Sequence, residues 1–265
     1  MQSVIPWYVT PIVLGMVITL AFWLHRLVVR AAESADLAPG ARSRIRRGTA
    51  LFLGGWLALA LALARSSPTV DVAGNGVVPV SLLLFAGVSL GVAIGLIAFS
   101  PPWRKVVDAI PSDALISVQV YRLIGGIFLP LYAIGSLPGH FALPAGWGDL
   151  AVGLLAPFVA LAVRRQSRGA RPLALGWNVF GFLDLLAAVG LGTGYLIMTL
   201  QPDLTAPPGA AAMTFFPLVL IPTFAVPLGF ILHIYSIRRT LRAERTMVAQ
   251  SEIRKGRVSP ASSRA

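Results

Sequence analysis

The stretch VVPVSLLLFAGVSLGVAIGLIAF, residues 77–99, decides the fold class. It contains no Asp, Glu, Lys or Arg. A helix that crosses about 30 Å of hydrocarbon needs roughly 20 mostly apolar residues. This stretch meets that requirement, and we therefore predict a transmembrane helix here.

The whole chain has the same apolar character. Of its 265 residues, 56% are hydrophobic and 12% are charged, whereas about 25% are charged in a typical soluble domain. A soluble domain of this length needs a larger charged surface, so the composition excludes one, and it also excludes a disordered chain. The absence of cysteine excludes disulfides, Cys-ligated zinc and thiol catalysis.

The sequence predicts an all-α fold, a polytopic integral membrane protein with a single bundle of about seven transmembrane helices. The predicted spans cover approximately residues 5–25, 49–64, 77–99, 115–136, 146–163, 174–198 and 214–236. They form one transmembrane domain over residues 1–236. A basic, partly disordered tail follows over residues 237–265, and we expect its first part to extend the last helix along the membrane surface.

The basic residues predict the orientation. With seven spans and an external N-terminus, 20 of the 22 Lys and Arg residues fall on one side, and only Arg65 and Arg122 do not. The positive-inside rule makes that side cytoplasmic and places the C-terminus there. We expect a bacterial inner (cytoplasmic) membrane, with anionic lipid against the cytoplasmic face. Because the net charge of +12 follows topology, we do not expect nucleic acid as a partner.

Ionisable residues inside a span are costly and are candidate functional residues. Arg122 in the fourth span and Asp184 in the sixth are expected at similar depth, within reach of each other. Gln119 and Asn178 share a shallower depth in the same two spans, so a polar seam with the pairs Gln119–Asn178 and Arg122–Asp184 is predicted. Since Asn178 and Asp184 lie about 120° apart on an ideal helix, the full seam requires a distortion, for example at Gly181.

Asp149 is the third candidate. The Pro144-Ala145-Gly146 sequence predicts a turn, which places Asp149 in the first turn of the fifth span at the outer interface. There it compensates the helix dipole, or it lines an outward cavity with His140 and Trp147.

Small residues, prolines and histidines give three further expectations. Gly87, Gly91 and Gly95 form a ridge that favours close approach of another helix, within the bundle or in a homodimer. Prolines recur every five residues in the seventh span and predict a bend or locally unwound turns there. His25 and His233 lie near the cytoplasmic ends of the first and seventh spans. The simpler interpretation is that they are polar residues at helix ends, and the alternative is that they form a pair of metal or haem ligands.

No motif in the sequence names an activity. The spans hold no lysine for a retinal Schiff base, and neither H-E-x-x-H nor a phosphate-binding G-x-x-x-x-G-K-[ST] occurs. We predict no cofactor, no metal and no catalytic residue, and an enzyme is the least favoured class. Two hypotheses stay open. One is a small transporter or permease-like protein that takes a small molecule or a proton, with its site at Arg122, Asp184, Asp149, Gln119 and Asn178. The other is a non-catalytic membrane subunit or sensor in which these residues only lock the helices together.

Overall fold

The computed structural model describes residues 5–66, 80–194 and 209–258, with side chains as far as Arg242. These residues form helices joined by short turns, and no strand occurs among them. Seven segments are long and apolar enough to cross a membrane. The predicted all-α bundle is confirmed, and the chain is a multi-pass membrane protein.

Nine α-helices lie in the described part of the chain. In chain order they are α1 (Val9–Ser34), α2 (Pro39–Ser66), α3 (Val80–Phe99), α4 (Pro101–Ala109), α5 (Ser112–Val118), α6 (Phe128–Ala133), α7 (Gly139–Arg164), α8 (Ala170–Thr193) and α9 (Val226–Val258). A 3-10 segment, Gln119–Ile127, joins α5 to α6, and these three together form the fourth span. A 3-10 turn, Ala211–Thr214, and a π-helical turn, Ile221–Ala225, precede α9. The predicted span residues 77–79 and 195–198 and the frayed end at 259–265 lie outside the described residues.

Apolar side chains cover the outside of the bundle, and polar ones lie within it. Phe99 is 88% exposed, Phe158 70% and Leu183 54%. Soluble monomers rarely expose so much contiguous apolar surface, whereas in a bilayer these side chains contact lipid. Inside the bundle, the following side chains are at most 1% exposed: Gln119, Arg122, Asn178, His233 and Ser236.

The fourth span tightens to a 3-10 helix over Gln119–Ile127. Runs of this helix longer than three or four residues are uncommon and often mark a functional or strained segment. The local sequence explains the change. Gly125 and Gly126 have low α-helix propensity, and the ring of Pro130 crowds the carbonyl of Gly126 and offers it no N–H.

The 3-10 period determines which side chains point inward. Residues three apart are eclipsed in a 3-10 helix, so Gln119, Arg122 and Gly125 lie on one face. All three are buried. An ideal α-helix would spread them over about 120°. The tighter helix therefore aligns the polar residues with the bundle interior.

The seventh span begins irregularly, as its prolines predict. Turns at residues 215–219 lead into the π-helical turn, and α9 continues from there. Pro227 cannot donate to the carbonyl of Thr223, four residues earlier. The indole Nε1 of Trp56 donates to that carbonyl at 2.9 Å, so the lost bond is replaced from α2. The predicted distortion is confirmed.

One prediction about a helix start needs correction. The turn expected at Pro144-Ala145-Gly146 is wrong, because α7 begins at Gly139 and contains Pro144. Pro144 is the sixth residue of this helix, so it gives no backbone N–H to the carbonyl of His140, and the helix nevertheless continues through it. At the other end of the chain, α9 continues to Val258, so the first part of the basic tail extends the last helix.

The glycine ridge of α3 does not contact a helix as expected inside the bundle. Among the described residues, a Cβ at Gly87 or Gly91 would meet nothing within 4 Å, and one at Gly95 would only touch Phe99 of the same helix. Close helix packing occurs instead between the 3-10 segment and α7. A Cβ at Gly153 would meet the backbone nitrogen of Leu123 at 2.8 Å.

Candidate functional site

Arg122 lies at the centre of the bundle and is bonded on all sides of its guanidinium. Its Nε donates to Asp149 Oδ1 at 2.5 Å, and its Nη2 donates to Asp184 Oδ2. Its Nη1 donates to the backbone carbonyl of Gly181 at 2.8 Å and faces His233 Nε2 at 3.3 Å. The contact predicted between Arg122 and Asp184 is present, and Asp149 joins it. We call Arg122, Asp149 and Asp184 the charged cluster.

The structure places Asp149 in the bundle, not at its outer edge. Because α7 begins at Gly139, Asp149 lies about 15 Å along the helix from that end. Asp184 lies about 14 Å from the Thr193 end of α8, so the two carboxylates are level. The prediction of Asp149 in a first turn, compensating the helix dipole, is therefore wrong. Its suggested neighbour Trp147 is 62% exposed on the outer surface of the bundle.

The charges in the cluster do not cancel. One guanidinium faces two carboxylates, so the cluster carries one excess negative charge when both aspartates are ionised. The aspartate side chains are only 15% and 10% exposed. An uncompensated charge in such surroundings is costly. The cluster is therefore suited to hold one proton or one cation in addition to Arg122.

Three glycines make the room that this cluster occupies. A Cβ at Gly125 would overlap the carboxylate of Asp149, one at Gly148 would overlap that of Asp184, and one at Gly181 would overlap the ring of His233. The glycines sit on the 3-10 segment, α7 and α8 respectively. Each buried polar side chain thus fits against bare backbone of a neighbouring helix.

A neutral hydrogen-bond chain extends from Arg122 across α8 and α9. An arginine only donates, so His233 Nε2 accepts from Arg122 and the ring proton is on Nδ1. That nitrogen faces Asn178 Oδ1 at 3.0 Å, and Asn178 Nδ2 donates to Ser236 Oγ at 2.9 Å. We call His233, Asn178 and Ser236 the polar chain. The polar chain fixes the orientation of the His233 ring, and the ring in turn holds one edge of the Arg122 guanidinium.

Gln119 and Asn178 do not form the predicted pair. Gln119 Nε2 donates to the carbonyl of Gly229 at 3.3 Å, while Asn178 turns to α9. The Oε1 of Gln119 is buried and has no hydrogen-bond partner within the described part of the chain. Asn178 and Asp184 face different neighbours, so α8 stays helical through Gly181, and the distortion that a common seam required is not needed.

A cavity of about 250 Å³ leads to the charged cluster. It lies between α3, α6, α7, α8 and the start of the seventh span, and its lining extends from Asp149 to Thr193 and Met213. Its described lining is apolar apart from Thr193 and Asp149, and Asp149 is the only charged residue in that lining. The cavity touches neither Arg122 nor Asp184.

One comparison with known proteins identifies a family. A family described as "Domain of unknown function (DUF8737)" matches residues 78–241, more than half of the chain. The chain belongs to this family. No curated protein and no solved structure matches it.

The family region contains the whole site. It begins before α3 and ends within α9, so it includes the charged cluster, the polar chain and all the described residues that line the cavity. The first two spans, α1 and α2, precede it. They nevertheless pack into the bundle, since Val9, Val13 and Val17 of α1 are fully buried.

His233 and Ser236 are the two members of the polar chain that the sequence did not assign to the site. Both ring nitrogens of His233 face partners, Arg122 and Asn178, and His25 is not among them. The hypothesis of a His25–His233 ligand pair is therefore wrong for this arrangement. The spacing of His233 and Ser236 could have identified them. Residues three apart lie on the same side of a helix, and both of these polar side chains are buried in the bundle.

Proposed function

We propose that this protein is a small membrane transporter or permease-like protein, with its site at the charged cluster. The observation that carries the proposal is the cavity between the helices whose lining includes the buried carboxylate of Asp149. Asp149 is bonded to Arg122, so a ligand or proton that enters the cavity changes the balance of the buried ion pairs. The 3-10 segment that carries Arg122 offers the irregular backbone that moving membrane helices often use.

We further propose that the cavity opens to the outer side of the membrane, at its Thr193 end. The predicted topology places the N-terminus outside and the C-terminus in the cytoplasm of a bacterial inner membrane. Under that orientation Thr193 lies near the outer surface and Arg164 near the cytoplasm. The basic segments then meet anionic lipid, each residue contributing on the order of 1 kcal/mol near the surface.

One observation favours the second candidate, a membrane subunit or sensor in which the cluster locks the helices. Arg122 is only 1% exposed, lies outside the cavity lining and has partners on three nitrogens. A dry and fully bonded arginine is what a structural lock requires. The two candidates differ in one measurable property, which is whether water reaches the cavity and the polar chain.

Thiol accessibility tests this difference directly. The chain contains no cysteine, so Ala188→Cys and Thr193→Cys place single thiols in the cavity without a background. Leu186→Cys is the matched control, because Leu186 is 54% exposed on the outside of the same helix. A membrane-impermeant methanethiosulfonate requires the thiolate, which needs water.

For a transporter we expect both cavity thiols to react from outside much faster than Leu186→Cys. Ser236→Cys, beyond the cluster, should react from the cytoplasmic side when the other end opens. Cavity thiols no more reactive than the Leu186→Cys control would contradict transport and leave the structural lock.

A further inference from the structure

The chemistry of the cavity selects the charge of its ligand. Asp149 is the sole charged group among the described residues that line it. An anion would meet this carboxylate with no lining cation to offset the repulsion. A metal ion such as Ca²⁺ takes six to eight oxygen ligands, and the described lining offers only the side chains of Asp149 and Thr193. An organic cation needs just one such carboxylate.

The charged cluster strengthens this selection. Arg122 already binds both aspartates and leaves one excess negative charge when both are ionised. A cation in the cavity next to Asp149 would neutralise that charge in surroundings of low dielectric, where the attraction is much larger than in water. A neutral ligand would fill the same space and leave the charge uncompensated.

The remaining lining suits the body of such a cation. Phe128, Phe141 and Phe230 line the cavity, and Phe128 and Phe141 lie with ring centroids 5.3 Å apart. Aromatic faces attract ammonium groups because the face of the ring carries partial negative charge. The volume of about 250 Å³ is larger than the cavity of about 150 Å³ that is known to hold one benzene molecule, so a ligand with one ring and a small ammonium group fits.

We infer that the cavity binds a small organic ammonium ion, with its charge at Asp149 and its apolar part against the three phenylalanines. The inference rests on the proposed transport site and names its substrate class. It accounts for one feature that a helix lock does not require, which is a carboxylate exposed to an apolar and aromatic cavity.

Binding of a matched pair of probes tests the inference. The full chain in lipid nanodiscs is titrated with benzyltrimethylammonium and, separately, with neopentylbenzene, which has the same shape and no charge. We expect the cation to bind at least about tenfold more tightly, a difference of about 1.4 kcal/mol. Asp149→Asn should remove this preference and leave the binding of neopentylbenzene unchanged.

A second pair of variants keeps the test valid where Asp149→Asn fails to fold. Ala188→Phe fills the cavity and leaves Asp149 and Arg122 in place, so it should abolish binding of both probes. Leu186→Phe adds the same ring on the outside of α8, where Leu186 is 54% exposed, and should change neither.

The outcomes separate this inference from the proposed function. Equal binding of the two probes, equal cation affinity with and without Asp149, or lipid alone in the cavity would overturn the ammonium site. Thiols that react from the outer side only, together with selective cation binding, would overturn transport and retain the binding site.

Discussion

At the scale of single residues, Arg122 is the member of the charged cluster on which the others depend. Each aspartate has one charged partner, and both share this guanidinium. Breaking a buried pair typically costs about 3–5 kcal/mol, because it leaves an uncompensated charge. We therefore expect the loss of stability in a variant of the cluster to increase with the number of charges that it leaves without a partner.

We predict that Arg122→Met destabilises the protein more than Asp149→Asn or Asp184→Asn. The first leaves two carboxylates without a partner, while each aspartate variant keeps the other ion pair. Unfolding of the purified protein in detergent measures the order. Asp108→Asn is the control, since Asp108 forms an exposed ion pair with Arg242 that is worth at most about 1 kcal/mol. Equal losses for all three cluster variants would contradict the shared-arginine arrangement.

The same reasoning predicts which further substitutions restore the stability that Arg122→Met removes. Arg122→Met with Asp184→Leu still leaves Asp149 unpaired, so this double variant should recover little. Adding Asp149→Leu replaces the whole cluster by apolar groups, which is often tolerated or stabilising. Unfolding midpoints of the double and triple variants measure this. A double variant as stable as the triple would show that Asp149 does not need Arg122.

Gly181→Ala is predicted to be destabilising and Gly176→Ala neutral or slightly stabilising. A Cβ at Gly181 would overlap the His233 ring and come within 3.4 Å of Arg122 Nη1, whereas one at Gly176 meets nothing within 4 Å. Both lie on α8, so alanine brings the same gain in helix propensity of about 1 kcal/mol. Thermal unfolding compares the two. Equal effects would mean that the cluster has room to move.

At the scale of whole elements, the seventh span shows how a broken helix is repaired by its neighbours. Trp56 of α2 donates to the Thr223 carbonyl that Pro227 leaves without a donor. Tyr121 of the 3-10 segment donates to the carbonyl of Ala225 at 2.9 Å. These bonds tie the irregular turn to the second and fourth spans.

We predict that Trp56→Phe destabilises the protein and that Pro227→Ala reduces this loss. The phenylalanine leaves a buried carbonyl unpaired, which costs about 1–3 kcal/mol. Pro227→Ala restores a backbone N–H to the same carbonyl. A double-mutant cycle on unfolding free energies measures the coupling. Trp7→Phe, at an indole that is 83% exposed, is the control. Additive effects would show that the indole bond does not replace the missing one.

The spans could be predicted from the sequence because long apolar runs determine them. The local change from an α-helix to a 3-10 helix within a span could not be predicted. Gln119, Arg122 and Gly125 share a face only in a 3-10 helix, and apolar content does not reveal that change. Asp149 was misplaced because a proline at the start of α7 resembles a turn. The Arg122–Asp184 contact was predictable, since both charges lie at similar depth and neither has a nearer counter-charge on its own helix.

At the scale of the whole molecule, the described segments that are rich in Lys and Arg lie together at one end of the bundle. Lys105 of α4 donates to the backbone carbonyl of Asp36, between α1 and α2, at 3.2 Å. Arg242 of α9 donates to both carboxylate oxygens of Asp108, at 3.1 and 3.2 Å. The basic segments around the α1–α2 connection, in α4 and in α9 therefore meet at this end, as the segregation of Lys and Arg along the sequence predicts. A wrong number of spans would have divided them between the two ends.

The last prediction concerns the side of the membrane on which that end lies. His140 and Ser167 are exposed near opposite ends of α7, so His140→Cys and Ser167→Cys must report opposite sides. Because Ser167 lies between Arg165 and Arg168, the positive-inside rule places it in the cytoplasm. In intact cells an impermeant thiol reagent should label only His140→Cys, and in inverted vesicles only Ser167→Cys. Reporter fusions after residues 40, 108 and 168 should read cytoplasmic, and those after 72, 140 and 206 external. The reverse pattern would overturn the orientation and direct the cavity inward, while two thiols labelled from the same side would contradict α7 as a span.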